Sequence, residues 1–179
     1  MKNFFIKVFK EIAATIILFS GIPVLIRFFI AKKKVTIVLY HNPTVQTFEK
    51  HLIYLKKKYN LIELKDLTDS IYNNTWANIP KFPLLITFDD GHKSNFKLIK
   101  LFKKYKVKPT IYLCTKIVST LKFFWFKIID DENKEFLKTI SQNKREKILK
   151  EKFNFTKDDK GHTFQRQSLS RNEIKKMIK

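Results

Sequence analysis

LLITFDDGHKSNFKLIKLFKKYKVKPTIYLC, residues 84–114, decides how this chain is read. It opens on Leu84–Phe88, an unbroken apolar and β-branched run of the kind that forms a strand buried on both faces. Ser94–Tyr105 follows with Phe96, Ile99, Leu101 and Phe102 at helical intervals, and Pro109–Cys114 is a second apolar run. Strand, helix, strand is the repeat of a parallel α/β sheet. Two adjacent carboxylates, Asp89 and Asp90, close the first strand at its C-terminal end, where α/β folds place their active sites. Successive strand residues point to opposite faces, so both acids reach one pocket only if the chain turns there. Gly91 permits such a turn. One carboxylate holding a metal and its neighbour taking a proton from water make a coherent hydrolytic pair. The plainer alternative is an Asp-Gly turn whose acids are merely solvated.

Working outward, Val35–Tyr40 (VTIVLY) reads as another strand buried on both faces. Thr44–Tyr59 reads as a helix with Phe48, Leu52 and Leu55 on one side, Leu61–Leu64 as a short strand, and Asp66–Tyr72 as a short helix. From Leu121 onward only helices are expected, first aromatic (Phe123, Phe124, Trp125, Phe126) and then strongly charged through Lys152.

The first 34 residues are of another kind. Ile12–Ile26 carries no charge, and continuing to Ala31 adds only Arg27. A run of about twenty such residues matches the hydrocarbon thickness of a bilayer as one helix. Arg27 lies near its end, where its stem could snorkel toward the interface. Lys2, Lys7 and Lys10 lie on one side and Lys32, Lys33 and Lys34 on the other, so flanking charge sets no orientation. A cleaved signal peptide fits less well, because Phe29 spoils a small-residue cleavage site before Lys32. The rival to a spanning helix is an interfacial one, since Phe4, Phe5, Val8, Phe9 and Ile12 recur at helical spacing. The division expected is therefore 1–34, a membrane-associated or transmembrane helix, and 35–179, a catalytic α/β domain.

The 179 residues hold 37 basic and 16 acidic side chains, a net charge of +21. The excess is spread as +6, +8 and +7 over residues 1–34, 35–120 and 121–179. Nucleic-acid modules gather their basic residues beside a recognition motif, and no zinc-finger, RRM or basic-zipper pattern occurs here. No specific nucleic-acid partner is expected, although the charge draws the chain toward anionic surfaces. The single cysteine, Cys114, excludes a disulfide-stapled scaffold.

TFDDG in this setting resembles the first motif of the NodB-type polysaccharide deacetylases, carbohydrate esterase family 4. VTIVLYHNPTVQTFEKHLIYLKKKYNLIELKDL resembles the opening of that family's domain, where a strand ends in Tyr-His. FFWF and LSRNEIKKMIK are similar to later segments. The resemblance covers nearly all of residues 35–179, and it implies an incomplete (β/α) barrel of the deacetylase type preceded by the apolar helix. It implies that Asp89 is the general base, that Asp90 is ligand to a divalent metal, commonly zinc, and that His41 stands on the active-site rim. The reaction implied is release of acetate from an N-acetylated polysaccharide or cell-envelope glycan by a membrane-associated enzyme. Thr87 and Gly91 match the motif as shapers of the turn. His92, next to a turn, is expected to face water, and His51 and His162 are given no role.

One departure stands beside the match. The family's second motif supplies two metal-binding histidines four positions apart, and the histidines here are 41, 51, 92 and 162. The metal site is therefore expected to be incomplete in this chain, as in a domain truncated before that motif. The alternatives are an inactive relic of the fold or a basic protein of membrane surfaces.

Overall fold

The apolar N-terminal run does not form one helix. The computed structural model describes residues 2–156 and 165–178, and begins with two helices, α1 (Lys2–Phe19) and α2 (Ile22–Phe29). Gly21 between them has φ 77°, and Pro23 sits in the first turn of α2, where its missing N–H costs nothing. Ser20 caps the break, its hydroxyl donating to the Ile17 carbonyl at 2.7 Å and accepting from Ile22 N at 3.2 Å. No single helix among the described residues is long and apolar enough to cross a membrane. Val8–Phe19 and Ile22–Lys33 meet that description only as a pair bent by 60°. Arg27 does not snorkel: its guanidinium lies 4.1 Å from the Phe82 ring centre and 4.9 Å from that of Tyr59, and it donates to the Lys58 carbonyl.

The chain divides into two compact units, residues 1–38, 48–87 and 108–110, and residues 39–47, 88–107 and 111–179. The elements in order after α2 are β1 (Thr36–Tyr40), α3 (Val45–Lys58), β2 (Asn60–Leu61), α4 (Leu64–Tyr72), β3 (Pro83–Phe88), α5 (Ile99–Tyr105), β4 (Thr110–Ile111), α6 (Asp131–Thr139), α7 (Gln142–Phe153) and α8 (Arg171–Ile178). β3 is the centre of the sheet, with β1 and β2 on either side and β4 also paired to it; among the described residues the strands do not close on themselves. β2 and β3 are parallel, Asn60 opposite Pro83 and Leu61 opposite Leu84.

Every residue of β3 is buried, as its unbroken apolar run predicts. Phe48 and Leu52 of α3 are fully buried. β1 departs from expectation, because Ile37 and Leu39 remain 55% and 50% exposed while Thr36, Val38 and Tyr40 are half-buried. A continuous apolar run hides which face is covered. α4 begins with a capping box in which Glu63 N donates to Asp66 Oδ2 at 2.8 Å.

In the second unit, the helix expected over Ser94–Tyr105 starts as a tighter 3₁₀ stretch, Lys93–Leu98, before α5. The strand expected over Pro109–Cys114 narrows to Thr110–Ile111. Ile129, Leu137, Leu149 and Phe155 form a cluster, with Phe123, Trp125 and Phe153 packed against it. α8 is pinned by Glu173, which receives two hydrogen bonds from the Arg166 guanidinium at 2.7 and 2.9 Å and one from Ser170 N at 2.8 Å.

Candidate active site

The paired aspartates lie in the second unit, at a turn that ends β3. Tyr40 stacks on Phe88 with ring centres 5.5 Å apart, and Phe88 meets Phe102 edge-on at 5.8 Å, fixing the end of β3. Asp89 N donates to the Tyr40 carbonyl at 2.8 Å, so the ladder runs one residue beyond the strand. Asp90 and Gly91 then both adopt left-handed backbone, φ 67° and 64°. Aspartate tolerates that conformation better than most side chains, and glycine is required at the second position by space as well. A Cβ on Gly91 would lie 2.5 Å from Leu113 Cδ2.

The turn separates the environments of the two acids. Asp89 keeps 32% of its side chain exposed and faces His41, whose Nε2 is 4.0 Å from Asp89 Oδ2. The Asp90 side chain is 19% exposed and lies between His92 Nε2, 3.7 Å from its Oδ2, and Cys114 Sγ, 3.7 Å from its Oδ1. His41 is 59% exposed in its side chain, open to anything approaching Asp89.

His92 reverses its expectation. The residue is 5% exposed, with its ring centre 4.6 Å from that of Phe124. Residues 167–169 close over it: Lys93 N donates to Gln167 O at 2.7 Å, Leu169 N donates to Gly91 O at 2.8 Å, and His92 and Ser168 form an antiparallel bridge. Burial first, and then the neighbouring Lys127 ammonium, push its pKa down to about 4 against the pull of Asp90. His92 is thus neutral at pH 7. Lys127 Nζ lies 3.4 Å from Nδ1 and, as a cation, can only donate, which assigns the ring proton to Nε2 on the Asp90 side. Cys114 is held as a thiol: burial, reinforced by the Asp90 charge, raises its pKa to about 11.

Lys127 and Cys114 escaped the sequence reading, since both reach Asp90 only through tertiary packing. Asn95 did also: it is fully buried with neither side-chain amide atom hydrogen-bonded among the described residues. His51 lies on α3 in the first part of the chain and His162 lies outside the described residues. Beside Cys114 opens a cleft of about 520 Å³ whose walls include Lys116, Trp125, Phe126 and Arg145. The Arg145 guanidinium lies 5.4 Å from the Trp125 ring centre.

No protein-family model matches the chain, and no curated protein sequence matches it. Six solved chains do. A de-N-acetylase from Aggregatibacter actinomycetemcomitans is 17% identical with a TM-score of 0.43, over 48% of this chain and 39% of that one. IcaB from Ammonifex degensii is 17% identical with a TM-score of 0.46, over 69% of this chain and 71% of that one. This chain spans about two fifths of the length of the first of these two.

The donors present do not fit the metal that the family resemblance implies. A zinc site takes three or four ligands. Among the described residues no three His, Cys, Asp or Glu side chains converge on a point that could hold an ion. The donors nearest Asp90 are a thiol held protonated and an imidazole whose proton lies on the side of the acid.

Proposed function

We propose that this chain carries the aspartate portion of a carbohydrate de-N-acetylase acting on an N-acetylated polysaccharide of the cell envelope. The observation that carries the reading is the left-handed turn at Asp90 and Gly91, which follows a buried strand and gives two adjacent carboxylates separate surroundings. Asp89, the more exposed acid, is the base. It takes a proton from water as the water oxygen bonds to the acetyl carbon. The carbon–nitrogen bond then breaks with its electron pair on nitrogen, nitrogen takes up a proton, and acetate and a free amine leave. A positioned base of this kind is worth about a hundredfold to ten-thousandfold in rate. His41 borders the approach to Asp89, and the cleft with Trp125 and Phe126 supplies apolar walls for sugar rings.

Asp90 is the donor that the family resemblance assigns to a metal, and the sequence holds no His-x-x-x-His pair to complete its ligand set. Residues 167–169, adjoining the segment that resembles the approach to the family's histidine motif, run alongside Gly91 and His92. We place the protein at a membrane, because α1 and α2 leave Phe9, Ile16, Phe19, Val24 and Phe29 exposed by 65% or more.

The test joins this chain in frame to the His-x-x-x-His-bearing part of a NodB-type deacetylase and follows an N-acetylated polysaccharide. The reading expects acetate and free amines to appear in equal amounts. Acetate without amines would show an esterase, and no acetate from a folded, zinc-loaded protein would contradict the assignment.

A further inference from the structure

The first unit holds a second concave feature, unrelated to the aspartates. A groove of about 700 Å³ is lined by Lys32, Lys33 and Lys34, which follow α2 directly, together with Trp76, Ile79 and Lys81. Four lysines line it and no acidic residue does. Among the described residues Lys33, Lys34 and Lys81 have no carboxylate partner, and the Lys32 ammonium has only the Phe28 ring, 5.1 Å away. Four like charges around one hollow repel one another, and an anion between them removes that penalty.

The groove is held in place. Phe82 N donates to the Lys32 carbonyl at 3.1 Å, and Asn60 Nδ2 donates to the Lys81 carbonyl at 2.7 Å, so both lysine-bearing segments are tied by their backbones. Arg27 fixes α2 to the same unit through Lys58, Tyr59 and Phe82. α2 therefore delivers its apolar surface immediately beside the lysines, with Leu25, Phe28 and Phe29 exposed by 58%, 57% and 76%. Trp76, 51% exposed on the groove wall, is the amphipathic ring that favours the level of lipid headgroups.

We propose that this groove is a binding site for the phosphate headgroup of an anionic membrane lipid, whose acyl chains lie along α2. Charge complementarity selects the phosphate, and the adjoining apolar helix selects a lipid over a free anion. The proposal rests on the membrane reading of α1 and α2, which the same experiment tests by a separate arm.

The full-length chain is floated with vesicles of phosphatidylcholine alone, or with 30 mole per cent phosphatidylglycerol, at roughly 0.15 M salt. The wild type is compared with Lys33→Gln/Lys34→Gln/Lys81→Gln and with Lys147→Gln/Lys150→Gln/Lys152→Gln, which removes the same charge from α7. Each lysine at an anionic surface contributes about a fivefold gain in partitioning, so the groove variant, which lacks three, should bind the anionic vesicles on the order of a hundredfold more weakly. The α7 variant should lose less than about threefold, and binding to neutral vesicles should be unchanged in both. Equal losses in the two variants would overturn the site, leaving only diffuse attraction by the net charge of +21. Release by millimolar inorganic phosphate at matched ionic strength would overturn the lipid in favour of a free anion. Binding to neither vesicle by the wild type would overturn the membrane reading itself.

Discussion

Gly91→Ala tests the turn on which the site depends. Left-handed backbone costs a residue with a Cβ about 1 kcal/mol or somewhat more. The added methyl would also stand 2.5 Å from Leu113 Cδ2, with Leu113 Cα at 3.5 Å and the Tyr112 carbonyl oxygen at 3.6 Å in ordinary contact. The collision is thus with the end of one side chain, and moving Leu113 off its preferred rotamer costs about 1 kcal/mol more. The substitution should destabilise by about 2–3 kcal/mol, measured by urea denaturation at pH 7. A double-mutant cycle with Leu113→Ala separates the two parts. Once the leucine is truncated, Gly91→Ala should retain only the backbone cost, so the coupling should be about 1 kcal/mol. A coupling near zero, or a Gly91→Ala protein as stable as wild type, would show that this close approach and left-handed turn are not features of the folded chain.

Burial of His92 predicts acid sensitivity. Its folded pKa is lowered to about 4, so stability is complete above about pH 6.5 and falls as pH drops toward 4, because the unfolded chain binds the proton first. The loss by pH 4.5 should be about 2 kcal/mol, and His92→Gln should flatten that part of the profile; an unchanged slope would refute it. Hydrogen bonds from Arg166 hold Glu173 down to about 2, so its contribution is present above about pH 4.5 and is lost as pH falls through about 2. Glu173→Gln should cost about 2 kcal/mol at pH 7 and progressively less below pH 4, whereas a pH-independent cost would point to packing alone. The chain by itself should bind zinc weakly, since no three ligating side chains converge among the described residues; stoichiometric zinc surviving dialysis would contradict this.

The strand carrying the aspartates was legible because it is apolar at every position and every position is buried. β1 was legible as a strand but not in its exposure, since Ile37 and Leu39 look like core residues in sequence and are half exposed in structure. Helical spacing at Phe96, Ile99 and Phe102 marked a helix without distinguishing the 3₁₀ turns of Lys93–Leu98 from the α-helix after them. The break between α1 and α2 had its signal in Gly21 and Pro23, which a count of apolar residues passes over. The surroundings of Asp90 were not legible: His92 is buried by Phe124 and by residues some 75 positions later in the chain, and no local pattern encodes that approach.

The rate of acetate release after Asp89→Asn, in the chain joined to a His-x-x-x-His segment, tests the central claim most directly. Asparagine keeps the size of the side chain and the backbone bond from Asp89 N to the Tyr40 carbonyl, while removing the proton acceptor. If Asp89 is the base, the rate falls by about a hundredfold or more while bound zinc is retained. A variant that releases acetate as fast as the wild type would show that the two carboxylates form a turn and nothing more.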